Sequence, residues 1–457
     1  MLRLAGGQVE SLFDGLLPVE VRELPADLAA LDRLLAEPRL LGPIEQAWER
    51  AARGHGRPTI PMTSFVRLMV IKQRTGWGYE TLVREVSDSL HLRRFCLLPL
   101  TARVPDESTV RKLVRRLGPE VVAELTRVVI GTAQRETRFV ARAVRIDSTV
   151  VEADIRYPTD AGLAWQGARV LAREGRKLAG RLGGSTRRVV DRSRRIGKLV
   201  RSISRTLVRR TGQRPEDVME LNTQAGRVLA RSVAEARALA AQARAAARGR
   251  GARVKLRAAR RLEELADRCQ RVATQIQQRS RGERIPDRLV SLADPDARPI
   301  RKGKLGTPNQ FGYVVQVAEV TTNTRRGARG YLLPAVSAPG NPGENQLLDQ
   351  TVAELDRLGL RPREVALDGG FVPGPTQQAL AALAPARTFI AGRAEPGSRR
   401  TRRRLARYRT GCEGRISHLK RGYGLRRSRL RGNQGQRIWT GWAVLAYNLD
   451  TFAIQTA

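Results

Sequence analysis

The chain reads as an α/β protein: a mixed sheet flanked by helices, preceded by an all-α region and interrupted by a large helical insertion. Three observations predict this. Apolar residues recur at helical spacing, broken by Gly and Pro, up to about residue 135. Strand-like runs then alternate with helical ones, first near Val144 and again from Phe311. Between these two blocks lies a long stretch of Ala, Leu and Arg at helical density. At 457 residues and 41% apolar content, the chain is long enough for two or three domains with real cores.

The first segment holds helical patches from Leu28 to Leu41 and from Ile44 to Ala52, then the breakers Gly54, Gly56, Pro58 and Pro61. From Met62 a helix with Thr63 or Ser64 as N-cap aligns Phe65, Leu68 and Met69, and stops near Gly76 and Gly78. Further helices follow at Tyr79 to Asp88, Asp106 to Leu117 and Glu120 to Gln134. Asp106 and Glu107 lie in the first turn of theirs, where the helix dipole favours acids. Short helices joined by Gly-containing turns suit a helix-turn-helix-like DNA module over residues 1–135; a plain bundle with a solvated basic face has the same pattern.

In the core, ARAVRIDSTVV forms the first strand. FGYVVQVAEV, residues 311–320, and Tyr331 to Val336 form a hairpin. A helix from Asn345 to Leu358, the strand EVALDGG, a helix from Thr376 to Leu383, the strand RTFIAG and a basic helix complete the order. Trp439 to Phe452 is an apolar core helix. This β, β-hairpin, α, β, α, β, α order is the layout of an RNase H-like core, spanning 136–160 and 286–457. The insertion, 161–285, is divided into three or four helices at Gly183-Gly184, Gly212 to Pro215 and Gly249 to Gly251.

The charge narrows the partners. The chain has 84 Lys plus Arg against 44 Asp plus Glu, so 84 − 44 = +40 at pH 7. Residues 160–285 carry 32 − 11 = +21 and residues 399–437 carry 15 − 1 = +14, so the excess is concentrated in two segments. Most of it is Arg, whose flat fork of donors matches phosphate, and the expected partner is a nucleic acid. No run of 18 apolar residues exists and the start lacks a secretory pattern, so no membrane association and a cytoplasmic, nucleoid-associated location are expected. Cys96, Cys269, Cys412, His55, His91 and His418 have no zinc-ligand spacing. No phosphate-cradling Gly motif is present, so no nucleotide cofactor is expected.

Acids that persist against such a charge are candidates for chemistry. Asp147 follows Val144 and Ile146 in the first strand; Asp368 ends its strand just before Gly369-Gly370; Glu413 is the one acid between residues 399 and 437. Ligands of open α/β sheets gather at the carboxyl ends of strands, where Asp368 falls. At 100° per residue, Arg409, Glu413, Ile416 and Lys420 share one helix stripe. Two Asp and one Glu suit Mg²⁺, and two such ions can drive phosphodiester cleavage. Each acid also has an ordinary structural reading: a turn residue for Asp368, a salt bridge for Glu413, a strand-edge charge for Asp147.

Together these residues resemble a known family. RIDSTVVEADIRYPTD, SLADPDARPIRKGKLGTPNQFGYVVQVAEV, VALDGGF and GCEGRISHLKRGYGLRRSRLRG look like the ordered blocks of bacterial DDE-type insertion-sequence transposases. MTSFVRLMVIKQRTGWGYETLVREVSDSLHLRRF with PDESTVRKL resembles the helical domain preceding their core. The resemblance covers about residues 20–160 and 285–455. It implies that Asp147, Asp368 and Glu413 are the catalytic, metal-binding triad, and that Arg409 and Lys420 bracket the Glu. One departure is visible: Ala406 stands where many relatives have Tyr, with Tyr408 out of register. The separation 368 − 147 = 221 fits an insertion between the first strand and the hairpin.

The resemblance implies a cut-and-paste enzyme that cleaves insertion-sequence ends and transfers strands to target DNA. It would use two Mg²⁺ ions, with Mn²⁺ as a substitute, and act as a homodimer on double-stranded DNA. Phosphate contacts are expected from Arg409, Lys420, Arg415, Arg301, Lys302, Lys304, Arg426 and Arg427. The competing readings are a non-catalytic Arg-rich repressor or decayed relative, and a structure-specific nuclease on the same core.

Overall fold

Helix-forming sequence builds the N-terminal part: α1 (Val19–Arg22), α2 (Ala26–Leu35), α3 (Gly42–Arg50), α4 (Met62–Thr75), α5 (Tyr79–Asp88), α6 (Leu90–Phe95) and α7 (Glu107–Glu136). The computed structural model describes residues 1–5, 15–50, 58–137, 139–183, 187–208, 214–301, 309–393 and 398–456. They divide into two compact units, Met1–Asp154 with Tyr313–Ala457, and Ile155–Gly312. Among the described residues no helix is long and apolar enough to cross a membrane.

The start of α4 differs from expectation. Its N-cap is Pro61, and neither Thr63 nor Ser64 caps it. Instead the Met62 and Thr63 N–H groups donate to the Arg3 and Leu4 carbonyls (2.9 and 3.1 Å), so the chain's first residues satisfy the orphan donors. Gly76 closes α4 at φ +70°, a conformation that costs a glycine little. Helix α7 contains both expected helices, with a break at Gly118 (φ +76°) before Pro119.

In the first unit, β1 (Ala143–Ala153) is almost wholly buried, as a central strand must be. It lies between β3 (Gln310–Thr321) and β6 (Glu364–Leu367), and β6 is followed by β7 (Arg387–Ile390). Strands β1, β6 and β7 are parallel, with Ile146 opposite Leu367 and Leu367 opposite Ile390. The expected hairpin partner of β3 is split into β4 (Tyr331–Leu332) and β5 (Val336–Ser337). Pro334 lies in the gap and has no N–H to offer the ladder. Helices α12 (Glu344–Arg357), α13 (Pro373–Leu380), α14 (Arg399–Gly422) and α15 (Gly432–Thr456) complete this mixed α/β core, with β8 (Arg427–Ser428) beside the end of β1.

The sheet is covered on both faces. Val144, Ile146, Val365 and Leu367 pack with Leu348, Val352 and Leu355 of α12. Val151, Val315 and Val317 pack with Cys412, Ile416 and Leu419 of α14 and with α15. Helix α15 also joins the N-terminal helices: Trp442 meets Phe65 edge to face at 5.8 Å, in a core shared with Leu31, Ile44 and Val110.

The second unit contains α8 (Asp160–Leu182), α9 (Ser193–Val208), α10 (Arg214–Ala245) and α11 (Ala252–Ser280) around their own apolar core. Among the described residues these four α-helices make up most of the insertion. Close packing is built in at Gly167, where a Cβ would lie 2.9 Å from Cys269 Sγ. The buried Asp160 carboxylate is held by Arg279 (2.9 Å) and Arg288 (2.7 Å). In this unit β2 (Arg298–Ile300) pairs with the first residues of β3.

Candidate active site

The sheet register places the first two acids. Since Ile146 pairs with Leu367 in parallel, Asp147 and Asp368 follow them at the same level, where β6 ends. Alternation sends Ile146 toward α12 and Asp147 to the α14 face, the side where Arg145 donates to the Tyr408 carbonyl at 3.0 Å. Asp147 is 8% exposed, and its Oδ1 accepts from Ser148 N–H at 2.7 Å.

A third carboxylate joins them, and it is Glu344. One carboxylate oxygen from each of Asp147, Glu344 and Asp368 lies within 4.8 Å of the other two. Glu344 begins α12 and was not among the sequence candidates. Its carbonyl accepts from the buried Gln316 Nε2 at 3.0 Å, and Thr351 Oγ1 donates to Gln316 Oε1 at 2.6 Å. The neighbouring Asn345 bonds both Val372 N–H (2.8 Å) and Thr376 Oγ1 (2.9 Å), which ties the loop after Asp368 to α12.

Burial and the like charges perturb these acids. Burial first, then Asp368, pushes Asp147 up to about 6. Burial, then Asp147 and Asp368, pushes Glu344 up to about 7. Glu344 Oε2 is shielded and has no hydrogen-bond partner. Three hard oxygen donors, one of them orphaned, fit a divalent cation.

Glu413 lies outside this cluster. Its side chain is 62% exposed and accepts from Arg409 at 3.0 Å, while a second Arg409 nitrogen donates to Asp368 Oδ1 at 2.9 Å. One guanidinium thus joins the second Asp to the late Glu. His418 packs against the Tyr423 and Tyr447 rings.

Behind the acids is a buried ionic network. Glu319, fully buried, accepts from Arg145 (2.6 and 2.9 Å), from Arg415 (3.0 Å) and from the Gly330 N–H (3.0 Å). Arg415, expected on the phosphate-facing surface, therefore points inward, with 11% of its side chain exposed and its guanidinium over the Tyr447 ring. Tyr408 is buried, with its hydroxyl bonded to Thr321 at 2.7 Å.

Two basic depressions lie in the same unit. A groove of about 1480 Å³ follows the first half of α14 and is lined by Arg325, Arg326, Arg399, Arg400, Arg403 and Arg407, ending at Gly411. A second, about 410 Å³, collects Arg426, Arg427 and Arg429 with Lys72, a residue the sequence did not single out. The Lys72 ammonium lies 4.3 and 4.9 Å from the Trp439 and Tyr79 ring centres. Arg427 also pairs with Glu152 at 3.1 Å. Lys420 is half-buried on α14. Arg301 is exposed in the second unit, and Lys302 and Lys304 lie outside the described residues.

Two family models match parts of the chain. The family model described as Transposase domain (DUF772) matches residues 22–116, and the one described as Transposase DDE domain matches residues 327–449. The first covers α2 to α6 and the start of α7; the second includes Asp368, Arg409 and Glu413. No curated protein and no solved structure matches the chain.

Proposed function

The chain belongs to the insertion-sequence DDE transposases, and from that premise we propose that it cleaves the ends of its own element and joins them to target DNA. The observation that carries the reading is the pairing of Asp147 with Asp368 at the end of the sheet, linked through Arg409 to Glu413. In it, Asp147, Asp368 and Glu413 hold divalent cations, Mg²⁺ or Mn²⁺. When bound, such ions supply charge stabilisation for the attacking and leaving oxygens of a phosphodiester.

The residues do the rest. Water attacks the phosphorus at the element's end, the bond to the 3′ oxygen breaks, and a 3′-hydroxyl is released; that hydroxyl then gives up its proton and attacks a target phosphorus, forming a new P–O bond as the target's own P–O3′ bond breaks and its 3′ oxygen leaves as a hydroxyl. Asp147, seated in a rigid central strand, fixes the site relative to α14. Arg409 already bridges two carboxylates and is positioned to exchange one for a phosphate oxygen. The Arg-lined groove along α14 and the Arg426–Arg427–Arg429 depression hold the duplex backbone, with the N-terminal helices contributing end recognition. Two element ends joined in one event call for two copies of the chain.

The test is incubation with labelled ends of its own element, with Mg²⁺ and with EDTA. Cleavage and strand transfer in Mg²⁺ alone are expected. Equal cleavage in EDTA would sink the reading.

A further inference from the structure

Glu344 is the residue that neither the family pattern nor the helix stripe explains. An acid in a helix's first turn is ordinary, because the dipole favours it there. This one is half-buried: its Oε2 is shielded and unpartnered, and its carboxylate meets two others within 4.8 Å. The fit around it is close. A Cβ on Gly370 would fall 2.4 Å from Glu344 Oε2, so the second glycine after Asp368 leaves the space the carboxylate occupies. The Gln316 and Asn345 bonds fix its backbone and the loop opposite. Glu413, by contrast, is engaged by Arg409.

Three acid groups so placed repel one another, and a cation among them reverses that sign. We infer that Glu344 is a cation ligand alongside Asp147 and Asp368 in the DNA-free protein, so that four carboxylates serve the site. The inference rests on the reading of the two aspartates as a metal pair.

The experiment is titration of the DNA-free full chain with Mn²⁺, followed by the electron paramagnetic resonance of free Mn²⁺. Glu344→Gln should weaken binding about tenfold or more. Asp147→Asn should abolish it. Where Glu344→Gln fails to fold, Gly370→Ala decides: it keeps every charge and its Cβ meets the Glu344 carboxylate first, and the same loss is expected. Unchanged Mn²⁺ affinity in Glu344→Gln or, failing that, in Gly370→Ala, with binding still lost in Asp147→Asn, overturns the role of Glu344 alone. Unchanged affinity in Asp147→Asn overturns the metal pair itself, and this inference with it.

Discussion

Arg409 donates to Asp368 Oδ1 at 2.9 Å, and through its other terminal nitrogen it also holds Glu413. A cation built into the protein therefore occupies the electrostatic position that a metal or a phosphate would contest. Replacing it has opposite effects on two measurements. Arg409→Ala should raise Mn²⁺ affinity of the DNA-free chain, because a competing charge is gone. It should also lower strand cleavage by about 10²–10³-fold, the usual cost of losing one aimed donor. Titration and single-turnover cleavage on the same preparation check both; unchanged affinity would refute the competition.

The acid cluster stores a pH dependence. Asp147 and Glu344 titrate near 6 and 7 in the folded chain, above ordinary carboxylate values. Between those ordinary values and neutrality the folded chain holds more protons than the unfolded one. The stability from these groups is thus present at low pH and lost as pH rises through 6 to 7. In EDTA, Asp147→Asn should raise the melting temperature at pH 8 by about 2–4 °C and leave it unchanged at pH 4. Mn²⁺ affinity of the unaltered chain should fall as pH drops below 7, since protons and cation compete.

Glu319 makes a separate prediction. It is buried, and it neutralises both Arg145 and Arg415. Glu319→Gln leaves two cations without a counter-charge and should cost about 3–5 kcal/mol, read as a shift in urea midpoint. Loss of less than about 1 kcal/mol would show that the network is not needed to join β1 to α14.

The arginines divide by burial. Arg426→Ala with Arg427→Ala should reduce the salt dependence of DNA binding by nearly two counterions, about 0.9 per phosphate contact. Arg415→Ala should leave that slope alone and lower stability instead. Filter binding across a salt series, with thermal melts alongside, separates the two outcomes.

Much of this was legible in one dimension. Strand β1 announces itself by β-branched residues, α14 by its charge and period, and Asp368 by the Gly-Gly that follows a short apolar strand. The inward turn of Arg415 follows from helix geometry: two residues from Glu413 is about 200° around the helix, which puts it on the face toward Glu319. Glu319, an acid inside the run FGYVVQVAEV, was a similar unused signal. Glu344 had none. A Glu at a helix start is common, and its approach to Asp147 depends on how α12 meets the loop after β6, which no local spacing encodes. The split of the hairpin strand was readable from Pro334, and the capping of α4 by Arg3 and Leu4 was not, because it joins segments nearly 60 residues apart.

The most direct measurement of the central claim is cleavage of labelled element ends in Mg²⁺ by Asp147→Asn, Asp368→Asn and Glu413→Gln, with DNA binding recorded for each. The account predicts that all three retain binding and none cuts. Cleavage at the unaltered rate by any one of them would contradict it.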